Sequence, residues 1–137
     1  MSKRVFITGG ASGIGYALAN AFLKAGAKLA IADVEQGALD KACSALSAQG
    51  EVIGVVTDVS DANSVNALAD KVYEHYGVCH VLCNNAGVSV ANLNTWDTEP
   101  SDWMWVHGVN VRGVAHGIQA FVPRMIEGGE EGFVLNT

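Results

Sequence analysis

Apolar residues recur along this chain in two alternating rhythms. Arg4 to Thr8, "RVFIT", is a short β-type run that ends in a glycine-rich turn. From there the apolar positions fall at Ile14, Ala17, Leu18, Ala21, Phe22 and Ala25, the repeat of an amphipathic helix, with Gly26 as its stop. "KLAIAD" predicts a second strand and "EQGALDKACSALSAQ" a second helix, closed by Gly50. "EVIGVVTD" predicts a third strand, followed by a helix through Tyr76 with Ser60 as its N-cap and Asp61 placed for its dipole. "VCHVLCNNAG" predicts a fourth strand. A loop follows, then a helix from about Asp102 to Met125, and "FVLN" as a fifth strand.

Strands separated by helices of this length read as right-handed βαβ crossovers, which build a parallel sheet covered on both faces. No linker, repeat or low-complexity segment divides residues 1–137, so one layered α/β unit is expected.

Composition narrows the partners. Half of the 137 residues are hydrophobic and 16% are charged, a balance that excludes disorder and fits a well-covered α/β interior. A net charge of −6 argues against nucleic acid or an anionic membrane, both of which favour basic patches. The start "MSKRVFITGG" has too short an apolar run for a signal peptide, and no stretch approaches a membrane span. Cys43, Cys79 and Cys83 are an odd set without disulfide-framework spacing. A cytoplasmic location is the expectation. On a regular strand Cys79 and Cys83 would share one face with His80 on the other, so the three would not converge on a metal; core cysteines are expected.

"TGGASGIG", Thr8 to Gly15, joins the first strand to the first helix and carries Gly9, Gly13 and Gly15 in a G-x-x-x-G-x-G spacing. So tight a turn needs residues without Cβ, first to reverse the chain and then to let amides reach a diphosphate. The helix starting at Gly13 or Ile14 would point free N–H groups and its positive dipole end at that anion. Asp33 ends the second strand eighteen residues past Gly15, near the separation of a ribose-binding acid. A carboxylate there accepts from ribose hydroxyls and repels a 2′-phosphate, and no Arg or Lys stands in "ADVEQG" or the glycine turn to compensate. These features read as an NAD site. An FAD site or a methyltransferase pairs a glycine turn with a strand-end acid as well; a P-loop is excluded because no Gly-Lys-Ser/Thr follows.

Four separated motifs, "TGGASGIG", "DV" at Asp58–Val59, "NNAG" at Asn84–Gly87 and "GVNVRGV" around Asn110, come in the order and spacing of the short-chain dehydrogenase/reductase family. The chain resembles that family over its whole length. The resemblance implies that Gly9, Ser12, Gly13, Ile14 and Gly15 surround the diphosphate, with Asp33 and Val34 at the adenosine ribose. Asp58 and Val59 would contact adenine. Asn85, Ala86 and Gly87 would lie along the cofactor's ribose, while Asn84 steadies the sheet. The expected fold is a Rossmann-like doubly wound parallel sheet, strand order 3-2-1-4-5, lacking the family's C-terminal strands.

Asn110 shares an i, i+4 row with Val106, Val114, Ile118 and Val122, which reads as the buried stripe of the long helix. A buried amide without partners costs about 1–3 kcal/mol, so backbone at a kink, an ordered water or a ligand should occupy it. In the family the matching Asn holds a water that links the catalytic lysine to solvent, which makes Asn110 a candidate for catalytic support. The polar side of that helix would carry Arg112, His116, Gln119 and Arg124. Trp96, Trp103 and Trp105 fall in or just after "VSVANLNTWDTEPSDWMW", the region that frames the family's substrate pocket; one of the three is expected to line a pocket.

The family's chemistry is hydride transfer between nicotinamide and an alcohol or carbonyl carbon. Its serine lies just beyond the fifth strand, and its Tyr-x-x-x-Lys opens the next helix. The chain stops at Thr137 before those positions, and Tyr16, Tyr73 and Tyr76 do not supply the motif. The expectation is an NAD-binding domain over 1–137, incomplete at its C-terminus, from an oxidoreductase acting on a small alcohol or ketone and forming a homo-oligomer. The alternative is a non-catalytic NAD-binding or regulatory module.

Overall fold

A computed structural model describes residues 2–137. Five strands, β1 (Arg4–Thr8), β2 (Lys28–Asp33), β3 (Val52–Val56), β4 (Val81–Asn84) and β5 (Phe133–Asn136), form one sheet in the order β3-β2-β1-β4-β5. Every neighbouring pair is parallel; Val5 stands opposite Leu29 on one side and Val81 on the other. Strand order and class are those expected from the sequence.

Successive residues of a strand point to opposite faces, and both faces are covered. Val5, Ile7, Leu29 and Ile31 pack against α1 (Gly13–Lys24) and α2 (Gln36–Leu46) through Ala19, Leu23, Leu39 and Leu46. Phe6, Ala30, Ala32 and Leu82 face α3 (Ala62–Tyr76) and α5 (Gly113–Gly128), meeting Val65, Leu68, Val72 and Phe121. Phe6 and Phe121 stack with ring centroids 4.6 Å apart. Strand β5 is an edge: Phe133 is 61% exposed, and Val134 and Leu135 each 41%.

The helix after the long loop differs from its sequence reading. A 3₁₀ turn (Thr95–Asp97) precedes α4 (Pro100–His107), which leads through a π-turn at Gly108–Arg112 directly into α5. The helix therefore begins two residues earlier than expected. Pro100 at its first turn needs no N–H donor, and Glu99 and Asp102 form a reciprocal capping box. The π-turn inserts extra backbone into the helical repeat, so a row drawn through Asn110 at constant spacing does not stay on one face. Asn110 is exposed, as is Ile118 at 38%. The buried side consists instead of Gly113, His116, Gly117, Ala120, Phe121 and Met125. A Cβ on Gly113 would stand 2.7 Å from Val59 Cγ2, and one on Gly117 2.1 Å from Asn84 Oδ1; small residues let this helix approach the sheet. His116, expected on the polar side, is buried and hydrogen-bonds the Val59 carbonyl through Nδ1 at 2.8 Å.

Two smaller differences have local causes. Asp61 rather than Ser60 caps α3, its Oδ1 accepting from Asn63 N at 2.9 Å, because the Ser60 hydroxyl is already committed to Asp58. Strand β4 begins only at Val81, so Cys79 lies in the lead-in and packs on the α3/α5 side while Cys83 packs on the α1/α2 side. The two thiols are thus on opposite faces. His80 is engaged too, accepting from Arg4 N at Nδ1 and pairing with Glu130 at Nε2. No cluster of metal-ligating side chains occurs among the described residues.

All three cysteines are free, and burial pushes their thiols up, Cys79 to about 12 and Cys83 to about 11. Native protein should react with iodoacetamide far more slowly than protein unfolded in urea at pH 8, counted as carboxamidomethyl groups by mass. The raised values also carry a sign. Above the ordinary thiol pKa of about 8.5 the unfolded chain loses these protons and the folded one keeps them. Stability therefore falls as pH rises from there toward 11.

Candidate functional site

The site is built at the carboxyl ends of β1, β2 and β4, where an open α/β sheet leaves a crevice between its loops. The turn from β1 into α1 is the centre. Gly9 and Gly13 have φ of 65° and 51°, a region open to glycine and strained for most residues. A Cβ on Gly15 would lie 2.0 Å from the Gly9 carbonyl oxygen, so the first turn of the helix packs directly on the turn that precedes it. Ser12 N-caps α1 with extended backbone, and its side chain makes no capping bond. By contrast α3 and α4 have carboxylate caps. The opening amides of α1 are left toward solvent at the positive end of the helix dipole, and Ser12, Gly13 and Ile14 are exposed.

Neighbouring loops are tied to this turn by hydrogen bonds. The Thr8 hydroxyl oxygen accepts from Asn85 N and from Ala86 N, each at 2.9 Å. Asn85 Nδ2 donates to the Thr8 carbonyl at 3.1 Å and more weakly to that of Gly9 at 3.4 Å. Gly10 N donates to the Ala32 carbonyl. The Asp33 carboxylate spans the next gap: Oδ2 accepts from Ala11 N at 3.2 Å and Oδ1 from Glu35 N at 3.3 Å. On β3's side, Asp58 Oδ1 accepts from Ser60 N and the Ser60 hydroxyl, and Asp58 N donates to Ser64 Oγ.

These loops enclose a cleft of about 400 Å³. Of the residues singled out in the sequence, Ser12, Asp33, Val34, Asp58, Val59, Ala86 and Gly87 line it together. Gly9, Gly13, Ile14 and Gly15 do not line that space, Gly13 lying instead in a depression with Tyr16 and Ala42, and Asn85 is spent on the glycine turn rather than on the cleft. Asn84 lies buried behind, its Nδ2 donating to Asn136 Oδ1 at 2.9 Å, while its own Oδ1 has no partner. Thr57, Ser60, Val88, Trp105 and Val109 also line the cleft, and Thr8 holds two of its walls. Trp105 is among the three tryptophans of which one is expected to line a pocket, and Ser60 stands out in the sequence only as a helix cap, whereas Thr57, Val88 and Val109 do not stand out. Thr8 gave a signal, as the last residue of a strand before the glycine turn. Trp103 belongs to a separate depression with Val90, Leu93 and Val106, and its indole N–H donates to Thr98 Oγ1 at 2.9 Å. Trp96 is 82% exposed.

Asn110 lies in the π-turn, and backbone occupies its amide. Oδ1 accepts from Val88 N and Nδ2 donates to the Val88 carbonyl, both at 2.8 Å. This two-point bridge fixes the loop after β4 to the helix. Asn110→Ala should cost about 1–2 kcal/mol, read as a lower urea midpoint. Asn110→Asp, which keeps the acceptor and loses the donor, should fall between the two. A midpoint unchanged in both variants would remove the bridge as a stabilising contact.

The arrangement can hold an elongated molecule with an anionic middle. Amides at the glycine turn suit a diphosphate, the Asp33 carboxylate suits a sugar diol, and the Val59–Val109 side suits a flat apolar ring. No residue of the described cleft is a Lys or Arg, so the anion grip rests on backbone alone. The cradle fits a dinucleotide.

Comparison with known proteins agrees with this geometry. A sequence profile of the family described as "short chain dehydrogenase" matches residues 3–137. The chain is 38% identical over 137 residues to C alpha-dehydrogenase of Sphingobium sp., covering 96% of this chain and 44% of the relative. It is 36% identical over 138 residues to 1-deoxy-11-beta-hydroxypentalenate dehydrogenase of Streptomyces arenae, covering 99% and 49%. Among solved structures, a short-chain dehydrogenase/reductase from Burkholderia phymatum in complex with NAD superposes with a TM-score of 0.94 at 46% identity, over 98% of this chain and 48% of that one. The chain thus spans about half the length of these relatives.

Proposed function

Because this chain belongs to the short-chain dehydrogenase/reductase family, we propose that it is the NAD-binding part of an oxidoreductase that interconverts a small alcohol and its carbonyl compound. The observation that carries the reading is the convergence of three elements on one cleft: the side-chain-uncapped start of α1, the Asp33 carboxylate and the Asp58–Val59 segment. Gly9, Ser12, Gly13, Ile14 and Gly15 hold the diphosphate, Asp33 and Val34 the adenosine ribose, Asp58 and Val59 the adenine. Ala86 and Gly87 run along the remaining ribose, with Asn85 positioning the turn from behind.

Bound nicotinamide supplies hydride exchange; the residues of this chain bind it, orient it and hold the loops that flank it. Asn110 supports that work by bridging to Val88. The family's serine and Tyr-x-x-x-Lys have no counterpart among these residues, and the reading places proton transfer and substrate recognition in other parts of a longer polypeptide. A homo-oligomer is part of the same proposal, supported by the exposed Met104, Val111, Ile118 and Ile126 along α4, the π-turn and α5. No helix of the described residues is long and apolar enough to cross a membrane.

The test is a titration of the whole polypeptide with NADH, NADPH and S-adenosylmethionine, followed by cofactor fluorescence and calorimetry. Saturable NADH binding, weaker NADPH binding and none of S-adenosylmethionine is the expected result. Binding of S-adenosylmethionine without NADH would replace the oxidoreductase reading by a methyltransferase. Tight NADH binding with no turnover on any alcohol or ketone would favour a regulatory module.

A further inference from the structure

Trp105 occupies a position that packing alone does not explain. It sits near the end of α4, one helical turn before Val109, and both side chains line the cleft beside Asp58, Val59 and Ser60. Although the π-turn begins between them, both line the same cleft, so the pair forms one apolar wall. Gly108, between them, brings the helix close to this segment: a Cβ there would lie 3.7 Å from Ser60 Cβ. Further along, His116 holds the Val59 carbonyl at 2.8 Å. The wall is therefore fixed against the floor of the cleft rather than free to swing.

The two halves of that wall differ in cover. Val109 is 9% exposed, whereas Trp105 is 50% exposed. The Trp105 indole N–H makes no hydrogen bond among the described residues, unlike that of Trp103, which is seated on Thr98. A large aromatic surface left half open at the mouth of a cleft suits a flat, π-rich ligand, since a ring stacked on it regains the contact that water does not give.

From this geometry, and resting on the dinucleotide reading above, we infer that Trp105 forms the outer wall of the adenine pocket and stacks on the purine. Val59 and Val109 supply the inner contact. Trp105 is then a determinant of affinity for the adenosine half of the cofactor, separate from the groups at the diphosphate and the ribose.

ADP-ribose and nicotinamide mononucleotide, titrated separately into the whole polypeptide, separate the halves of the site. Trp105→Ala should weaken ADP-ribose about tenfold and leave nicotinamide mononucleotide unchanged. Trp105→Phe, which keeps an aromatic face, should recover most of the loss. ADP-ribose should quench tryptophan fluorescence in the wild type and in Trp96→Phe and Trp103→Phe, and lose most of that quenching in Trp105→Phe. Unchanged ADP-ribose affinity in Trp105→Ala, or an equal loss for both ligands, would overturn the role of Trp105 while the dinucleotide site stands. A wild-type protein that binds neither ADP-ribose nor NADH would overturn both.

Discussion

Gly15→Ala is expected to cost about 3 kcal/mol of stability, at the upper end for overpacking, and to weaken NADH binding at least thirtyfold. The added methyl would sit 2.0 Å from the Gly9 carbonyl oxygen and 2.7 Å from Asn85 Nδ2. The first of these neighbours is backbone in a turn whose own φ of 65° is already restricted to glycine-like conformations, so it cannot turn aside as a side chain would. Relief requires α1 to lift away from the turn, which moves its opening amides off the anion. One amide–phosphate bond is worth about 2 kcal/mol, roughly thirtyfold in Kd. Gly37→Ala is the control, because a Cβ there meets nothing within 4 Å; in α2 it should stabilise by about 0.5–1 kcal/mol. Thermal melting and NADH titration of both variants decide the matter. Wild-type affinity in Gly15→Ala would mean that this turn does not grip the diphosphate.

Asp33 controls the choice between two cofactors. A lost charge-assisted hydrogen bond plus repulsion of a 2′-phosphate amounts to about 3 kcal/mol, near a hundredfold preference for NADH over NADPH. Asp33→Ala should reduce that preference to within about tenfold, mostly by weakening NADH. The carboxylate also accepts from Ala11 N and Glu35 N, so the alanine variant loosens the turn as well as removing the charge. Asp33→Asn removes the charge but keeps one of the two acceptors, for Ala11 N or for Glu35 N, so it loosens the turn less than alanine does. A NADH-to-NADPH ratio unchanged in both variants would take Asp33 out of the ribose site.

The fold was legible where periodicity was clean. The apolar runs "RVFIT" and "KLAIAD", the helix after Gly13 and the edge strand "FVLN" each lie within a residue or so of the observed elements. The glycine turn and Asp33 were readable because their residue types answer a geometric demand that few other residues meet. The helix carrying Asn110 was misread for a physical reason. Its buried face uses Gly113, Gly117 and His116, while Ile118 and Val111 face outward, so hydrophobicity points to the wrong side, and the π-turn shifts the register further. Trp105 was one of three tryptophans in a loop-and-helix stretch. It lines the cleft, whereas Trp103, two residues before, belongs to another depression, a division that composition does not reveal.

One oxygen atom, that of the Thr8 hydroxyl, receives two consecutive amides from the loop after β4, three crossovers later in the chain. Opening the "NNAG" loop locally would break both of those bonds at once and strip Asn85 from the glycine turn. In deuterated solvent the amide protons of Asn85 and Ala86 should therefore exchange at closely matched rates, as one cooperative unit. Thr8→Val should speed both together, whereas exchange at Gly77, across the molecule, should keep its pace.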